Sequence, residues 1–386
     1  MPDSSASIRL ERVSKRYPDG TVAVHDLTLD VAPGQLVCLV GPSGCGKTTT
    51  MKMVNRLIEP SSGRILLDGE DVTKADPVQL RRRMGYVIQH VGLFPHLTVR
   101  ANVGTVPKLL GWNKAQVRDR ADELLELVGL EPSVHGDRYP GQLSGGQQQR
   151  VGVARALAAD PPVLLMDEPF SAIDPIARDR LQQEFLRVQA EVQKTILFVT
   201  HDIEEAVRLG DRIAVFRQGG VLEQYDTPAQ VLGAPATDFV AGFVGADRGL
   251  RRLAVTELAI ADIEQPPVVT VNDPVERARA LIGDADWAVV LDEQGGLSGW
   301  VGAKQLAAAS PGATVSTVGR RFDAWVPLGS SLKDAFAVML QHDAGWVAVL
   351  DRDRYVGVLT PASLHTALRK SVDDGLGVTP EETVLA

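Results

Sequence analysis

The segment Val37–Thr49, VCLVGPSGCGKTT, constrains the fold of this chain more than any other. It runs from an apolar, strand-like stretch into a full match of G-x-x-x-x-G-K-[ST], which starts at Gly41 and ends at Thr48. Glycines let backbone N–H groups approach an anion, and the following helix directs its positive end to the same point. The segment predicts a strand, a phosphate-binding loop and a helix. A glycine-rich turn that binds nothing is the alternative.

This loop predicts a set of nucleotide contacts. Lys47 would reach the β- and γ-phosphates as a point charge, and the hydroxyl of Thr48 would bind Mg²⁺. The predicted ATP-binding residues of the loop are Gly41, Pro42, Ser43, Gly44, Cys45, Gly46, Lys47, Thr48 and Thr49.

Charge and length exclude other classes of function. The net charge of −9 argues against a general nucleic-acid binder, since affinity for phosphate backbones needs clustered Lys and Arg. No apolar run approaches the ~20 residues that cross a bilayer, and the N-terminal residues show no apolar signal core, so we expect a cytoplasmic location. The chain has 386 residues, enough for two or three domains. Its two cysteines are too few for a disulfide framework or a zinc site.

Two polar residues at the ends of predicted strands are candidate nucleotide contacts. Residues 8–13 and 22–31 alternate apolar and polar, which predicts antiparallel strands, and Tyr17 lies on the turn between them. Tyr17 could stack on an adenine ring or be an ordinary surface tyrosine. Gln89 follows the apolar run that begins at Met84, where its amide could reach a metal or an attacking water. The alternative for Gln89 is a solvated loop residue.

A second candidate anion site follows Leu143. Ser144 is a good N-cap, and the two glycines after it expose backbone N–H groups at the start of a predicted helix. Because the P-loop already provides one cradle, this second cradle is best used by a nucleotide held on another copy of the chain. The residues assigned to it are Ser144, Gly145, Gly146 and Gln147. A capped helix with a Gly-rich lead-in is the alternative.

Two further strands are predicted to end in chemically active side chains. The run VLLMDEP at 163–169 predicts a buried parallel strand that ends in two carboxylates. Since consecutive strand residues point to opposite faces, we assign Asp167 to Mg²⁺ and Glu168 to the attacking water, whose proton it would accept. The run TILFVTHD repeats the design and delivers His201 to the same sheet edge, where it could donate to the γ-phosphate.

Seven stretches in order resemble the A-loop, Walker A, Q-loop, signature, Walker B, D-loop and H-loop of ABC-type ATPase domains. They are Tyr17, GPSGCGKTT, Gln89, LSGGQQQRV, VLLMDEP, SAIDP and VTHD. The resemblance covers about residues 8–240. It implies an α/β P-loop NTPase fold, the ABC ATPase fold, with an antiparallel β subdomain and an α-helical subdomain at about residues 90–150.

The resemblance also implies cofactors and roles. The cofactors are ATP and Mg²⁺, enclosed by a head-to-tail pair in which one copy supplies the P-loop and the other the signature. The implied metal-site residues are Thr48, Gln89 and Asp167, and the implied catalytic residues are Glu168, His201 and Gln89. Asp174 of the D-loop joins the cofactor-binding residues.

The second half repeats itself with a period near 58 residues. Residues 268–301 and 324–359 both read strand, helix, strand, turn and strand, and they resemble a tandem CBS (β-α-β-β-α) pair. Such pairs often bind adenosine-type nucleotides. At the corresponding places the first copy has Gly302 and Gln305, and the second has Thr360 with Ser363 in place of Asp. Nucleotide binding and a structural or dimerising role both stay open.

The predicted domains are an ABC ATPase at 1–245, a first CBS repeat at 246–312, a second at 313–370 and a disordered acidic tail at 371–386. This combination resembles the energising subunit of quaternary-amine importers, which take up glycine betaine, proline or choline. The implied partners are a second copy, transmembrane permease subunits and, indirectly, an extracytoplasmic substrate-binding protein, at the cytoplasmic face of the plasma membrane. The CBS pair is expected to be regulatory. An importer ATPase for another small solute, such as an amino acid, and a soluble ABC ATPase acting on ribosomes or DNA are the alternatives.

Overall fold

The computed structural model describes residues 5–88, 92–171, 173 and 175–376; within these, side chains are not described for 175–177 and 371–376. The described chain divides into two compact units. The first contains the residues up to Val231 together with Pro235–Gly245, and the second contains Leu232–Ala234 together with the residues from Ala246. Each unit has its own sheets and its own buried apolar clusters.

Two sheets form the first unit. Its strands are β1 (Ile8–Arg16), β2 (Val22–Val31), β3 (Leu36–Val40), β4 (Ser62–Leu67), β5 (Glu70–Asp71), β6 (Met84–Val87), β7 (Val163–Asp167), β8 (Thr195–Val199), β9 (Arg212–Arg217) and β10 (Val221–Asp226). The order β2-β1-β4-β5 makes an antiparallel sheet, and the order β10-β9-β3-β8-β7-β6 makes a sheet that is parallel except at β10. The predicted antiparallel β subdomain and the predicted P-loop NTPase fold are confirmed.

The centre of the parallel sheet places the functional loops side by side. Every residue of β3, β7 and β8 is buried, as expected for Val- and Leu-rich strands covered on both faces. Because these strands are parallel neighbours, their carboxyl ends lie at one edge of the sheet. The loops after these three strands carry the P-loop, the two carboxylates and His201.

Eleven α-helices are described before residue 246: α1 (Lys47–Val54), α2 (Pro77–Arg82), α3 (Val99–Val103), α4 (Thr105–Leu109), α5 (Lys114–Leu127), α6 (Pro132–His135), α7 (Gly145–Leu157), α8 (Pro175–Val192), α9 (Ile203–Leu209), α10 (Pro228–Gly233) and α11 (Asp238–Val244). All lie in the first unit except the last two residues of α10, which belong to the second. Helix α5 begins at Lys114, although helical spacing extends over 108–130. Gly111 interrupts the pattern with φ 85°, and Asn113 caps the new helix by accepting from the N–H of Gln116 at 2.9 Å.

An aromatic cluster fixes α8 against the parallel sheet. Phe170 follows β7, Phe185 lies on α8 and Phe198 lies on β8, and their ring centroids are 5.9 to 6.3 Å apart. All three side chains are buried. Burial of such rings contributes about 1.5–3 kcal/mol each, so this cluster anchors the helix that follows the Walker B strand.

The second unit contains two β-α-β-β-α repeats. Its elements are α12 (Arg248–Val255), β11 (Val268–Thr270), α13 (Val275–Ile282), β12 (Trp287–Leu291), β13 (Leu297–Gly302), α14 (Ala303–Ala308), α15 (Val315–Val318), β14 (Arg320–Arg321), β15 (Trp325–Pro327), α16 (Leu332–Gln341), β16 (Val347–Asp351), β17 (Arg354–Leu359) and α17 (Pro361–Leu376). In each repeat a parallel strand pair is followed by an antiparallel one, which confirms the predicted CBS-type topology.

The two repeats meet through their aromatic residues. Trp287 and Trp346, which the sequence places at equivalent positions, stack with centroids 4.5 Å apart, and Phe322 stacks on Trp346 at 3.9 Å.

One boundary is wrong: α17 extends to Leu376, six residues into the segment assigned to a disordered tail from Ser371. Residues 377–386 lie outside the described residues. Among the described helices, none has both the length and the apolar character that a membrane span requires.

Candidate nucleotide-binding site

The P-loop has a backbone that only glycine accepts at two of its positions. Gly41 has φ 145° and Gly46 has φ 102°. A Cβ added at Gly41 would lie 2.3 Å from the carbonyl oxygen of Phe216, and one added at Gly46 would lie 2.2 Å from that of Ala23. Since neither backbone oxygen can withdraw freely, the two glycines set the path of the loop around the start of α1.

The start of α1 offers unpaired amides and a buried cation. The first helical bond runs from the N–H of Thr50 to Gly46 O at 2.8 Å, so the preceding amides have no partner within the helix. Lys47 is 6% exposed, and its Nζ donates to Gly41 O at 2.7 Å and Pro42 O at 3.1 Å. A buried ammonium held by carbonyl dipoles favours an anionic ligand. These residues fit the phosphates of a nucleotide.

Thr48 and Asp167 bring a hydroxyl and a carboxylate together beside the loop. The hydroxyl of Thr48 donates to Asp167 Oδ1 at 2.9 Å, and Asp167 is 7% exposed. Burial raises the pKa of Asp167, and the bond from Thr48 opposes this shift. Hydroxyl and carboxylate oxygens are ligands that Mg²⁺ accepts, so the pair fits the predicted metal.

Glu168 and His201 form a second polar pair at the same sheet edge. Glu168 Oε2 lies 3.2 Å from His201 Nδ1, and the N–H of Glu168 donates to Val199 O at 2.9 Å. The two neighbouring carboxylates therefore have different partners, as predicted, but strand alternation is the wrong reason. β7 ends at Asp167, and Glu168 has φ 45°, a left-handed conformation that costs about 1–3 kcal/mol in a non-glycine residue.

Sequence reasoning missed Asp202, which sets the place of its neighbour His201. Its Oδ1 accepts from the N–H groups of Glu204 at 2.9 Å and Glu205 at 3.4 Å, and its own N–H donates to Thr200 Oγ1 at 3.0 Å. Asp202 is thus the N-cap of α9 and holds His201 immediately before the helix. An Asp followed by acids and an apolar run is an N-cap signature that could have revealed this role.

Ser144 caps the start of α7, where the second anion site is predicted. Ser144 Oγ accepts from the N–H of Gln147 at 3.3 Å, and Gln147 Oε1 accepts from the N–H of Ser144 at 3.0 Å, which makes a capping box. Gly145 is exposed, and a side chain there would meet nothing within 4 Å. None of the contacts described within the first unit joins this cradle to the P-loop.

The remaining candidates are less defined. Tyr17 lies on the turn between β1 and β2, is 37% exposed, and has Lys15 Nζ 5.4 Å from its ring centroid. None of its described contacts reaches the P-loop. Gln89 and Asp174 lie outside the described residues.

In the second unit, the candidate nucleotide contact is already engaged within the chain. Thr360 Oγ1 donates to Glu264 Oε1 at 2.5 Å, and Thr360 N–H donates to Ser363 Oγ at 2.8 Å. In the first repeat, Gln305 Oε1 lies 2.2 Å from where a Cβ on Gly302 would be. The negative charge of the Glu264 carboxylate beside Thr360 disfavours the binding of a phosphate at this position.

Comparison with known proteins agrees with both units. The ABC transporter family matches residues 24–171, and the CBS domain family matches residues 315–370. The glycine betaine/carnitine/choline transport ATP-binding protein OpuCA of Bacillus subtilis is 46% identical over 95% of this chain and 97% of its own length. The osmoprotectant import ATP-binding protein OsmV of Salmonella typhimurium is 43% identical over 92% of this chain and 94% of its own.

A solved structure agrees with the first unit. It is a dimeric ATP-binding cassette in a post-hydrolysis state, bound to ADP and Pi, with a TM-score of 0.52 and 34% identity. The similarity covers 57% of this chain and 98% of that chain. The P-loop, the two carboxylates, the capped signature helix and these similarities all indicate the same family. The chain belongs to the ABC transporter family, as an ATP-binding and ATP-hydrolysing subunit that carries a CBS domain.

Proposed function

We propose that two copies of this chain, arranged head to tail, bind MgATP between them and energise an importer of osmoprotectant quaternary amines. One observation supports the shared site: the P-loop and the capped, glycine-rich start of α7 share none of the described contacts. A second copy can bring one element opposite the other. The solute class is supported by OpuCA and OsmV, whose similarity extends over both units.

In this proposal each side chain of the site has a defined task. The amides at the start of α1 and Lys47 would hold the terminal phosphates, and Thr48 and Asp167 would hold Mg²⁺, which would supply positive charge to the phosphate groups. Glu168 orients the attacking water and accepts its proton. Its neighbour His201 holds that carboxylate through Nδ1, 3.2 Å away. Its other ring nitrogen, Nε2, would donate to the γ-phosphate. Gln89, Asp174 and Tyr17 keep their predicted roles.

Mixing two defective variants tests the shared site. Lys47→Ala disables the P-loop, and Ser144→Arg blocks the start of α7. In a head-to-tail heterodimer of the two, one site carries both defects and the other carries none. We expect neither variant alone to form an ATP-dependent dimer, and the mixture to form one, as measured by light scattering with hydrolysis blocked. Ser133→Arg, at an exposed serine elsewhere in the same region, is the control and should dimerise normally. A mixture that stays monomeric would contradict the proposal.

The partners and the solute need separate tests. We infer that the chain associates with transmembrane permease subunits at the cytoplasmic face of the membrane, and indirectly with a substrate-binding protein. Copurification of the tagged chain with a permease and a binding protein would support the importer over a soluble ATPase that acts on ribosomes or DNA. Binding of glycine betaine or choline, and not of an amino acid such as histidine, to that binding protein would support the proposed solute class. Binding of the amino acid, and not of glycine betaine or choline, would support an importer of another small solute.

We also propose that the CBS unit regulates transport. It has two apolar clusters of its own, around Val269 and Val349, and so a core separate from the ATPase core. Deletion of residues 246–386 should change how transport in reconstituted vesicles responds to salt. An unchanged response would refute regulation of this kind.

A further inference from the structure

Arg178 lies between two functional loops and belongs to none of the seven motifs. It is the fourth residue of α8. Its Nη2 donates to Ile173 O at 3.2 Å, in the turn after β7, and its Nη1 lies 3.8 Å from Asp202 Oδ2, after β8. A planar guanidinium with five donors can reach both groups at once, whereas a lysine ammonium is a single point of charge on a flexible stem.

A buried polar contact beneath Arg178 fixes the helix that carries it. Gln182 lies one turn further along α8 and is 4% exposed, and its Nε2 donates to Glu205 Oε1 at 2.9 Å. Glu205 lies on α9 and is 6% exposed. The other side of the amide, Gln182 Oε1, accepts from Arg208 Nη1 at 3.0 Å. Because buried polar groups are costly when unpaired, this contact holds α8 and α9 in one register.

Both groups of the proposed catalytic pair lie on the loops that Arg178 joins. Glu168 begins the turn that reaches Ile173, and this turn is closed by the bond from Ser171 N–H to Glu168 O at 3.2 Å. His201 precedes Asp202 directly. A small crevice of about 10 Å³ lies between the loops and is lined by Glu168, Ser171, Arg178, Thr200, His201 and Asp202 among others. The segment after β7 is joined to β8 by Phe170, which packs on Phe198, and by the bond from Glu168 N–H to Val199 O, and Arg178 adds the contact that reaches Asp202 in the loop after β8.

We infer that Arg178 is a positioning residue for ATP hydrolysis, which ties the loop after β7 to the loop after β8 and so keeps Glu168 and His201 in contact. The inference rests on the roles proposed for Glu168 and His201. Arg178 touches neither the P-loop nor the Thr48–Asp167 pair in the contacts described. Its loss should therefore lower turnover and leave nucleotide binding intact.

The kinetic test compares three variants. We expect Arg178→Ala to lower kcat at least about tenfold with KM for ATP changed less than about twofold, because the lost interaction acts on the chemical step. Arg178→Lys should be intermediate, since it restores one of the two contacts. Arg180→Ala, at an exposed arginine two residues along the same helix, is the matched control and should behave like the unaltered chain. A normal kcat for Arg178→Ala, or a change in KM alone, would overturn the inference.

A second readout needs no nucleotide. Imidazole NMR signals of selectively labelled histidines, assigned with a His201→Gln variant, report the Glu168–His201 contact in the free protein. We expect Arg178→Ala to shift or broaden the His201 signal and Arg180→Ala to leave it unchanged. An unchanged His201 signal in Arg178→Ala would overturn the inference. If Arg178→Ala fails to fold, Arg178→Lys carries both tests. If the unaltered chain does not hydrolyse ATP, the proposed function fails, while the imidazole signals still decide the role of Arg178.

Discussion

Replacing Thr48 by Val tests whether the Thr48–Asp167 pair is built around a buried carboxylate. Valine has the shape of threonine, so the change removes the hydroxyl and leaves no cavity. The lost bond is 2.9 Å long, and its acceptor Asp167 is only 7% exposed, so water cannot readily replace the donor. A hydrogen bond to a charged group contributes about 1.5–3 kcal/mol, and we expect the nucleotide-free protein to lose that much stability around β7.

Thr50, two residues along the same helix, provides the matched control. It is fully buried, and its Oγ1 has no hydrogen-bond partner among the described residues. Thr50→Val therefore removes a hydroxyl that burial penalises. We expect this change to be neutral or to stabilise the protein by up to about 2 kcal/mol. Both variants replace threonine by valine, but we expect only Thr48→Val to lower the stability of the protein.

Hydrogen exchange followed by mass spectrometry is the suitable assay, because the two units of the chain need not unfold together. Peptides covering α1 and β7 report the free energy of opening of the ATPase unit alone. Adding Mg²⁺ with ATP should protect these peptides in Thr50→Val and much less in Thr48→Val, since the latter lacks a metal ligand. Equal effects of the two substitutions, or no loss of protection in Thr48→Val, would refute the reasoning.

Three further predictions concern the same unit. Glu168→Gln should slow phosphate release by about 10²–10⁴-fold while equilibrium ATP binding is retained, because the amide keeps the shape and loses the base; unchanged turnover would contradict this. Gly46→Ala should abolish ATP binding in calorimetry, since its Cβ would meet Ala23 O at 2.2 Å. A Cβ at Gly44 would have nothing within 4 Å, so Gly44→Ala should destabilise the protein less than Gly46→Ala does. Burial raises the pKa of Glu205 in the folded chain. The free energy of unfolding therefore decreases as pH rises from the ordinary glutamate pKa through the raised one, because the unfolded chain releases this proton first. Glu205→Gln should remove that decrease, and its unfolding free energy relative to the unaltered chain should increase with pH across this window; an equal difference at all pH values would refute it.

Much of the site follows from short stretches of sequence. The apolar run of β3, the glycines of the P-loop and Lys47 are consecutive, so their strand, loop and helix are set by local backbone chemistry and can be predicted from the residues alone. The same holds for Ser144, whose capping box involves a residue three positions away. The internal repeat likewise predicted two copies of one strand, helix, strand, turn and strand unit, and the structure contains both.

Other features could not be predicted locally. The two carboxylates after β7 separate because Glu168 takes a left-handed conformation outside the strand, and strand alternation predicted their different partners for the wrong reason. The end of α17 was misplaced because an acidic stretch with few apolar residues resembles a disordered tail even where a preceding helix continues through it.

The amino-acid sequence by itself determined which chemistry this protein carries: a phosphate loop, one carboxylate at the end of β7 and one just after it, a capped glycine-rich helix start and a repeated second half. Only the tertiary structure decided which of these groups touch. Arg178 reaches Asp202 across 24 positions of the chain, and that contact exists because α8 packs on β8 through Phe185 and Phe198. Contacts within a few residues are limited by the geometry of one backbone segment. Contacts between distant segments depend on how whole elements pack, and no single stretch of sequence contains that information.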